Sequence, residues 1–265
     1  MTNSFCHLKF SNELRSEIAK SATQNNKDLI SSINYCTTPH GKYLRPQLVF
    51  AIGNILSINE ENLLPIALAI EMIHLYSLIH DDLPCMDDDD YRRGKLSCHK
   101  VFNEATAILA GNSLQAMAFE TVALSTKISN KQKINTIIEL AKLTGAQGLL
   151  NGQFIDLNNK NYNKEILFEL KTGSLFKAAI LLPLNITEKS VDTRIIKSLN
   201  NFANTIGVAY QWYDDSIDNK CAISKAKCLE LKTIAIESIN NLPNNTNLKN
   251  CIDLIIPAKE ISPSL

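Results

Sequence analysis

Residues 63–90 read LLPIALAIEMIHLYSLIHDDLPCMDDDD, an apolar segment that ends in a run of aspartates. Residues 63–79 are apolar nearly all round, which is typical of a helix buried in a protein core. The few polar residues recur at helical spacing and are expected on one side: Glu71, His74, Ser77, Asp81 and Asp82. The segment therefore predicts a buried helix whose polar side faces an internal polar site.

A second segment has the same organisation. Residues 202–218 read FANTIGVAYQWYDDSID, in which apolar positions accompany one polar side. The polar side comprises Gln211, Asp214, Asp215 and Asp218. Two buried helices with acidic sides predict a central cavity with metal ions on opposite walls.

The aspartates predict divalent cations because carboxylates at such spacings repel one another unless a cation offsets their charge. Oxygen ligands suit hard ions, and Mg²⁺ typically binds one or two carboxylates, several waters and substrate phosphates. The formal net charge of the chain is zero, so the acidic clusters are local features. The alternatives are a solvated loop at residues 87–90 and a chance polar face on each helix.

Basic residues near these segments are candidates for binding anions. Arginine binds phosphate oxygens with two parallel hydrogen bonds, and lysine supplies a point charge. The candidates are Gly41, Lys42 and Arg45 in HGKYLRP, Arg92 and Arg93 after the first acidic run, and Lys171 and Thr172 in KTGSLF. Each basic residue alone is most simply a solvated surface residue, but together they predict a diphosphate site.

At these residues the chain resembles the trans-prenyl diphosphate synthases, most closely those of the bacterial farnesyl diphosphate synthase type. The resemblance covers residues 40–218. Its motifs occur in the family's order: GKYLRP, DDLPCMD, DDYRRGKLSCH, ILAGNSLQ, GAQGLLNGQFIDL, KTGSLF and YQWYDDSID. One such motif is weak or moderate evidence, whereas the ordered set is specific.

The resemblance implies an all-α fold, a single-domain helical barrel of the isoprenoid synthase type around a deep central cavity, over residues 1–265. It implies head-to-tail condensation of isopentenyl diphosphate with dimethylallyl or geranyl diphosphate, assisted by several Mg²⁺ ions. Farnesyl diphosphate is the expected product, and geranyl and geranylgeranyl diphosphate are the alternatives. A homodimer is expected by the same resemblance.

The resemblance also implies roles for individual residues. The metal ligands would be Asp81, Asp82, Asp87, Asp214, Asp215 and Asp218. The allylic diphosphate would contact Arg92, Lys171 and Gln211, with Gln153 and Thr172 as weaker candidates. Isopentenyl diphosphate would contact Gly41, Lys42, Arg45, His74 and Arg93. The catalytic residues would be Lys171 and five of these aspartates: Asp81, Asp82, Asp87, Asp214 and Asp215.

Product length is expected to depend on the residues before the first aspartate motif. In the family, an aromatic residue five places before that motif is associated with a fifteen-carbon product, and Tyr76 occupies this position. An ideal helix places Tyr76 about 140° from Asp81, whereas Ser77 lies nearer the polar side. The chain-length candidates are therefore Tyr76 and Ser77, and the assignment of Tyr76 comes from the resemblance and not from helical phase.

The chain departs from the family after the second aspartate motif. Family members have a flexible loop there and a Gly-Lys whose lysine contacts the allylic diphosphate. Here a later helix follows almost at once, which predicts a shortening at about residues 219–222, and Lys220, Lys225 and Lys227 lack the family's spacing. Smaller departures are Tyr43, Leu96, Ser97 and Asn112.

This departure keeps two other hypotheses open. The chain could be a catalytically impaired homologue, acting as a non-catalytic subunit or surviving as a relic. A terpene cyclase is the third hypothesis, but DDSID stands where a cyclase normally has an Asn/Ser/Glu metal motif.

Composition agrees with a cytoplasmic helical enzyme. The seven cysteines are an odd number without paired metal-ligand spacing, and no signal peptide is recognised, so a reducing compartment is expected. Pro65, Glu71 and His74 interrupt the apolar segment, which argues against stable membrane insertion. No basic patch with interleaved aromatic residues occurs, so nucleic acid is not an expected partner.

Overall fold

The computed structural model describes residues 5–158, 162–218 and 222–257, and these are mostly helical. A two-stranded antiparallel hairpin of β1 (Tyr91–Arg92) and β2 (Lys95–Leu96) joins helices of the first half. The helices are α1 His7–Lys20, α2 Lys27–Cys36, α3 Leu44–Leu56, α4 Glu60–Asp81, α5 Cys98–Val101, α6 Glu104–Leu124, α7 Asn130–Thr144, α8 Leu149–Asn158, α9 Lys164–Phe168, α10 Ser174–Leu181, α11 Thr193–Asp218, α12 Ala222–Ile239 and α13 Thr246–Ile255. Short 3₁₀ helices span Gln24–Asn26 and Leu182–Ile186, and a π-helical turn spans Glu169–Gly173. The all-α prediction is confirmed.

One compact unit combines Met1–Tyr43 with Pro65–Thr126, as far as these residues are described. Most of α4 belongs to it, and Ile66, Ile70 and Ile73 in this helix are fully buried. The helix is long and apolar enough to cross a membrane by length and composition, but 67% of its apolar window is buried inside the protein. Such burial is typical of a core helix.

The second compact unit combines Leu44–Leu64 with Lys127–Leu265, as far as these residues are described. Its helix α11 packs against α10, α12 and the π-helical turn, and α8 packs against the same turn. Two glycines allow α8 and α11 to pack closely against the turn. A Cβ atom on Gly152 of α8 would lie 2.2 Å from the backbone nitrogen of Lys171, and one on Gly207 of α11 would lie 2.5 Å from Cα of Gly173. The turn is therefore fixed by backbone contacts on two sides.

The predicted shortening falls between α11 and α12. α11 ends at Asp218 and α12 begins at Ala222. Residues 219–221, which include Lys220, lie outside the described residues. The single domain around a central cavity stays a prediction.

Candidate active site

The polar side of α4 lies where the helical period predicts it. His74, Ser77 and Asp81 are partly exposed, while Ile73 and Leu75 on either side of His74 are buried. Glu71, one turn earlier, is buried with 2% of its surface exposed. The side thus opens toward the end of the helix that carries the aspartates.

Asp82 is placed differently from Asp81. It is 3% exposed and lines a cleft with Leu75, Leu78 and Ile79 of α4. One residue along a helix corresponds to a rotation of about 100°, so Asp82 lies on the neighbouring face. Asp81 therefore lies on the polar side of α4, as expected, whereas Asp82 does not.

The first aspartate motif folds back on the end of α4. The backbone N–H of Asp87 donates to the carbonyl oxygen of Asp81 at 2.9 Å, and the N–H of Asp88 donates to that of Leu83 at 3.1 Å. Asp88 has a φ of 54°, in the left-handed region that aspartate tolerates better than most residues. The turn brings together the first and last residues of DDLPCMD, both predicted as metal ligands.

Arg92 on β1 binds the buried aspartate. Its Nε donates to Oδ1 of Asp82 at 2.8 Å and its Nη2 donates to the same oxygen, while Nη2 also donates to Oδ2 of Asp89 at 2.8 Å. Burial raises the pKa of Asp82, and the hydrogen bond from Arg92 partly opposes that rise. Arg92 therefore helps to keep a carboxylate ionised in a desolvated position.

Of the residues predicted to bind isopentenyl diphosphate, two are in contact within the first unit. A Cβ atom on Gly41 would lie 2.6 Å from Nη2 of Arg93, so glycine leaves room for the guanidinium group. Tyr43, one of the departures named above, stands where the resemblance implies that a basic residue is common, and it is buried with its ring 4.9 Å from that of Phe10. An ionic side chain there would be desolvated. Arg45 belongs to the second unit, where its guanidinium carbon lies 4.6 Å from the ring centroid of Phe176.

Tyr76 is buried beside the first aspartate motif. Only 4% of it is exposed, and its ring meets that of His80 edge-on with centroids 5.2 Å apart. Burial, followed by the nearby charge of Asp81, raises the pKa of Tyr76 to about 12. Ser77 is partly exposed and its hydroxyl donates to the carbonyl oxygen of His74 at 2.9 Å. Tyr76 is therefore a neutral, buried aromatic side chain next to the first aspartate motif.

The π-helical turn of the second unit contains Lys171 and Thr172, and other predicted residues lie near it. Thr172 donates its hydroxyl to Oε1 of Gln211 on α11 at 2.7 Å, and the ammonium of Lys171 binds Asp156 of α8. Both polar side-chain atoms of Gln153 are buried without a hydrogen-bond partner among the described residues. Buried polar atoms are usually satisfied, so this amide points to a bound water or ligand.

The second aspartate motif lies at the end of α11. Lys164 of α9 places its Nζ 3.4 Å from Oδ2 of Asp215. The hydroxyl of Tyr210 donates to the carboxylate of Asp214 one turn later, and the pKa of Tyr210 is raised, chiefly by burial. The side chain of Asp218 lies outside the described residues.

Sequence reasoning missed several partners of the predicted residues. Tyr210 stands four residues before Asp214, so helical spacing could have identified it. Asp156, the partner of Lys171, is fifteen residues away and has no such signal. Asp89 stands three residues before Arg92 within the acidic run. The pairing of Lys164 with Asp215 has no sequence signal, because these residues are distant in the chain.

The donor atoms fit a hard divalent ion. The predicted ligands at both aspartate motifs are carboxylate oxygens, as Mg²⁺ prefers. The imidazole preceding the first motif, His80, has its Nε2 3.1 Å from the carbonyl oxygen of Ile108. That contact occupies one ring nitrogen of His80. Among the described residues, Asp88, Asp90 and His99 also bring potential ligand atoms within 4.8 Å of one another.

Comparisons with known proteins identify the family of this chain. Residues 26–227 match the family model described as Polyprenyl synthetase. A farnesyl diphosphate synthase of Haemophilus influenzae is 43% identical over 199 residues, covering 73% of this chain and 68% of that protein. Geranylgeranyl pyrophosphate synthase 7, chloroplastic, of Arabidopsis thaliana is 41% identical over 195 residues, covering 71% of this chain and 56% of that protein.

The fold is matched by solved structures as well. A crystal structure of a geranyltransferase from Legionella pneumophila superposes with a TM-score of 0.88 at 29% identity, covering 94% of each chain. Sequence, fold and the order of the motifs point to one activity, that of a prenyltransferase of the farnesyl diphosphate synthase type. The chain belongs to the polyprenyl synthetase family.

Proposed function

We propose that this trans-prenyl diphosphate synthase makes farnesyl diphosphate from isopentenyl diphosphate and dimethylallyl or geranyl diphosphate. The observation that carries the proposal is the turn joining Asp87 to Asp81, with Asp82 bound by Arg92 beside it. This arrangement concentrates carboxylate oxygens and a fixed arginine at the end of one helix. The chain is similar to a farnesyl diphosphate synthase over 73% of its length and to a geranylgeranyl pyrophosphate synthase over 71%, so the proposed product rests on Tyr76 beside the first aspartate motif.

The proposed Mg²⁺ ligands are Asp81, Asp82 and Asp87 in the first motif and Asp214, Asp215 and Asp218 in the second. When bound, Mg²⁺ would offset the negative charge that accumulates on the leaving diphosphate. The hydroxyl of Tyr210 and the guanidinium of Arg92 would orient carboxylates in these two sets. Partners that orient metal ligands in this way typically strengthen metal binding.

Arg92, Lys171, Thr172 and Gln211 are the proposed contacts of the allylic diphosphate. Arg92 and Lys171 are bound to carboxylates in this structure, so their charges are held in place. Fixed donors need little reorganisation as charge moves to the leaving group, which is how such groups lower a barrier. Gln153 is proposed as a further contact, because its amide atoms are buried without partners in the described chain.

Isopentenyl diphosphate would be bound by Gly41, Lys42, Arg45, His74 and Arg93. The allylic carbon–oxygen bond breaks with its electron pair leaving on the diphosphate, and the double bond of isopentenyl diphosphate attacks the resulting carbocation. Loss of a proton completes the longer allylic diphosphate, and the released diphosphate is the proposed base. The site must exclude water from the cation, so closure of the mouth on substrate binding is expected.

The activity is tested by incubating the purified protein with Mg²⁺, isopentenyl diphosphate and geranyl diphosphate. A fifteen-carbon alcohol is expected after dephosphorylation, and chelation of divalent ions with EDTA should abolish it because the diphosphate would lose its counter-charge. Substrate binding without turnover would instead support the impaired homologue, which the short connection after Asp218 motivates. A cyclic hydrocarbon would indicate a terpene cyclase.

Product length is tested by Tyr76→Ala. The phenol ring is buried beside the first aspartate motif, so its removal leaves a cavity into which a longer prenyl chain can extend. Chromatography of the dephosphorylated products should show chains longer than fifteen carbons. Ser77→Ala is measured in parallel, because Ser77 is the other candidate for this role, and a longer product from that variant alone would assign chain length to Ser77. The same product from both variants and the unaltered protein would remove Tyr76 from the role.

A homodimer and a cytoplasmic location are further proposals that rest on the family resemblance. Light scattering of the purified protein tests the first, and cell fractionation tests the second.

A further inference from the structure

We propose that Lys164 binds the diphosphate of the allylic substrate and so acts as a substrate-binding residue at the second aspartate motif. The inference rests on the proposed function, since it needs Asp215 to be a metal ligand. No sequence motif singles out this lysine. Its position in the folded second unit is what assigns the role.

Two neighbouring side chains lie close to the ammonium group of Lys164. Its Nζ lies 3.4 Å from Oδ2 of Asp215 and 5.8 Å from the ring centroid of Trp212. The indole ring is itself held edge-on by Phe168, with centroids 5.2 Å apart. Lys164 begins α9, which is capped by Asn163 through a 2.8 Å hydrogen bond from the N–H of Glu165. The lysine therefore extends from an ordered backbone toward the end of α11.

The ion pair with Asp215 contributes little to stability. The lysine side chain is 64% exposed, and an ion pair with a solvated partner typically contributes little to stability. The single contact at 3.4 Å is also longer than a strong charge-assisted hydrogen bond. Lys164 can therefore leave the carboxylate easily when a stronger anion is present.

Binding of metal and diphosphate changes the electrostatic balance around this lysine. Once Asp215 coordinates a divalent cation, its negative charge is offset and the ammonium is no longer attracted to it. The metal-bound diphosphate then becomes the neighbouring source of negative charge. Lysine binds phosphate as a point charge, so a small movement of the flexible side chain suffices for the contact.

Among the described lysines of this unit, Lys171, Lys177 and Lys227 have carboxylate partners outside the second aspartate motif. Lys171 pairs with Asp156, and Lys177 pairs with Glu169. Lys227 of α12 lies 3.4 Å from both Glu165 and Glu230. Lys164 differs from these three because its ionic partner, Asp215, is a proposed metal ligand. Lys220 lies outside the described residues and is therefore included in the test.

The test measures binding of inorganic pyrophosphate in the presence of Mg²⁺ by isothermal titration calorimetry. Lys164→Met should raise the Kd about tenfold or more, because a hydrogen bond to a charged group contributes about 1.5–3 kcal/mol. Lys164→Arg keeps the charge and should stay within about threefold of the unaltered protein. Lys227→Met is the matched control on the neighbouring helix and should leave the Kd unchanged.

Steady-state kinetics supply a second readout. Lys164→Met should raise the KM for geranyl diphosphate and leave the KM for isopentenyl diphosphate unchanged, because the proposed contact is with one substrate only. A purely structural role would not separate the two KM values.

The outcomes separate this inference from the proposed function. If the unaltered protein does not bind pyrophosphate with Mg²⁺, the proposed function itself fails. If it binds and Lys164→Met binds equally well, only the role of Lys164 is overturned. An equal loss in Lys227→Met would show a general effect of charge, and a loss confined to Lys220→Met would assign the contact to that residue; both results would also overturn the inference.

Discussion

Replacing Asp81 by asparagine is expected to lower the rate of condensation about 10²–10³-fold, as loss of one preorganised electrostatic group at a reacting centre commonly does. The substitution removes the charge that would bind Mg²⁺ but keeps the size of the side chain. It also keeps the backbone carbonyl that accepts the N–H of Asp87, so the turn of the first motif should survive. The loss should therefore appear in kcat/KM with little change in the melting temperature.

Asp28→Asn is the matched control for this prediction. Asp28 lies in the first turn of α2 in the same compact unit, is exposed and is not a proposed ligand. The substitution removes one negative charge and keeps the size of the side chain, as it does at Asp81. Steady-state rates across a range of Mg²⁺ concentrations should show a raised Mg²⁺ requirement for Asp81→Asn alone. Equal losses in both variants would mean that the overall charge of the protein matters and that Asp81 has no specific role.

Gly152→Ala is expected to have the largest effect on stability. The added Cβ would lie 2.2 Å from the backbone nitrogen of Lys171 and 2.5 Å from its Cα, and neither atom can move without displacing the π-helical turn. Overpacking of this kind typically costs 1–3 kcal/mol and sometimes more, so we expect a loss of about 3 kcal/mol. For a chain of this size that loss corresponds to a fall of about 6–12 °C in the melting temperature.

Activity should fall with stability in this variant, since displacement of the turn moves Lys171 and Thr172. Gly173→Ala is the matched control, because a Cβ there would meet its nearest atom, the carbonyl oxygen of Phe168, at 3.4 Å. Thermal unfolding followed by circular dichroism compares the two variants. A melting temperature for Gly152→Ala within about 2 °C of the unaltered protein, less than 1 kcal/mol, would show that α8 can move away from the turn.

The sequence predicted the features that depend on local periodicity. The apolar surface of α4 and its polar side at His74, Ser77 and Asp81 follow from the helical repeat, because residues three or four apart share a face whatever surrounds the helix. The order of the motifs likewise indicated the family, which the comparisons show. The pairing of Thr172 with Gln211 joins two residues that the resemblance had already assigned to one substrate.

The same repeat could not place Asp82. Its position depends on the hairpin that carries Arg92, and the buried ion pair forms because that hairpin packs against the end of α4. The periodicity of one helix contains no information about a partner such as Arg92, which lies on another element.

The amino-acid sequence by itself determined that the chain is helical, where its acidic clusters lie and which family it belongs to. Only the tertiary structure decided which cation meets which carboxylate, as with Lys164 and Asp215 or Lys171 and Asp156. It also decided why Gly152 must lack a side chain. The physical reason is that helical periodicity is a short-range property of the backbone, whereas these contacts join distant residues and exist only once the helices have packed.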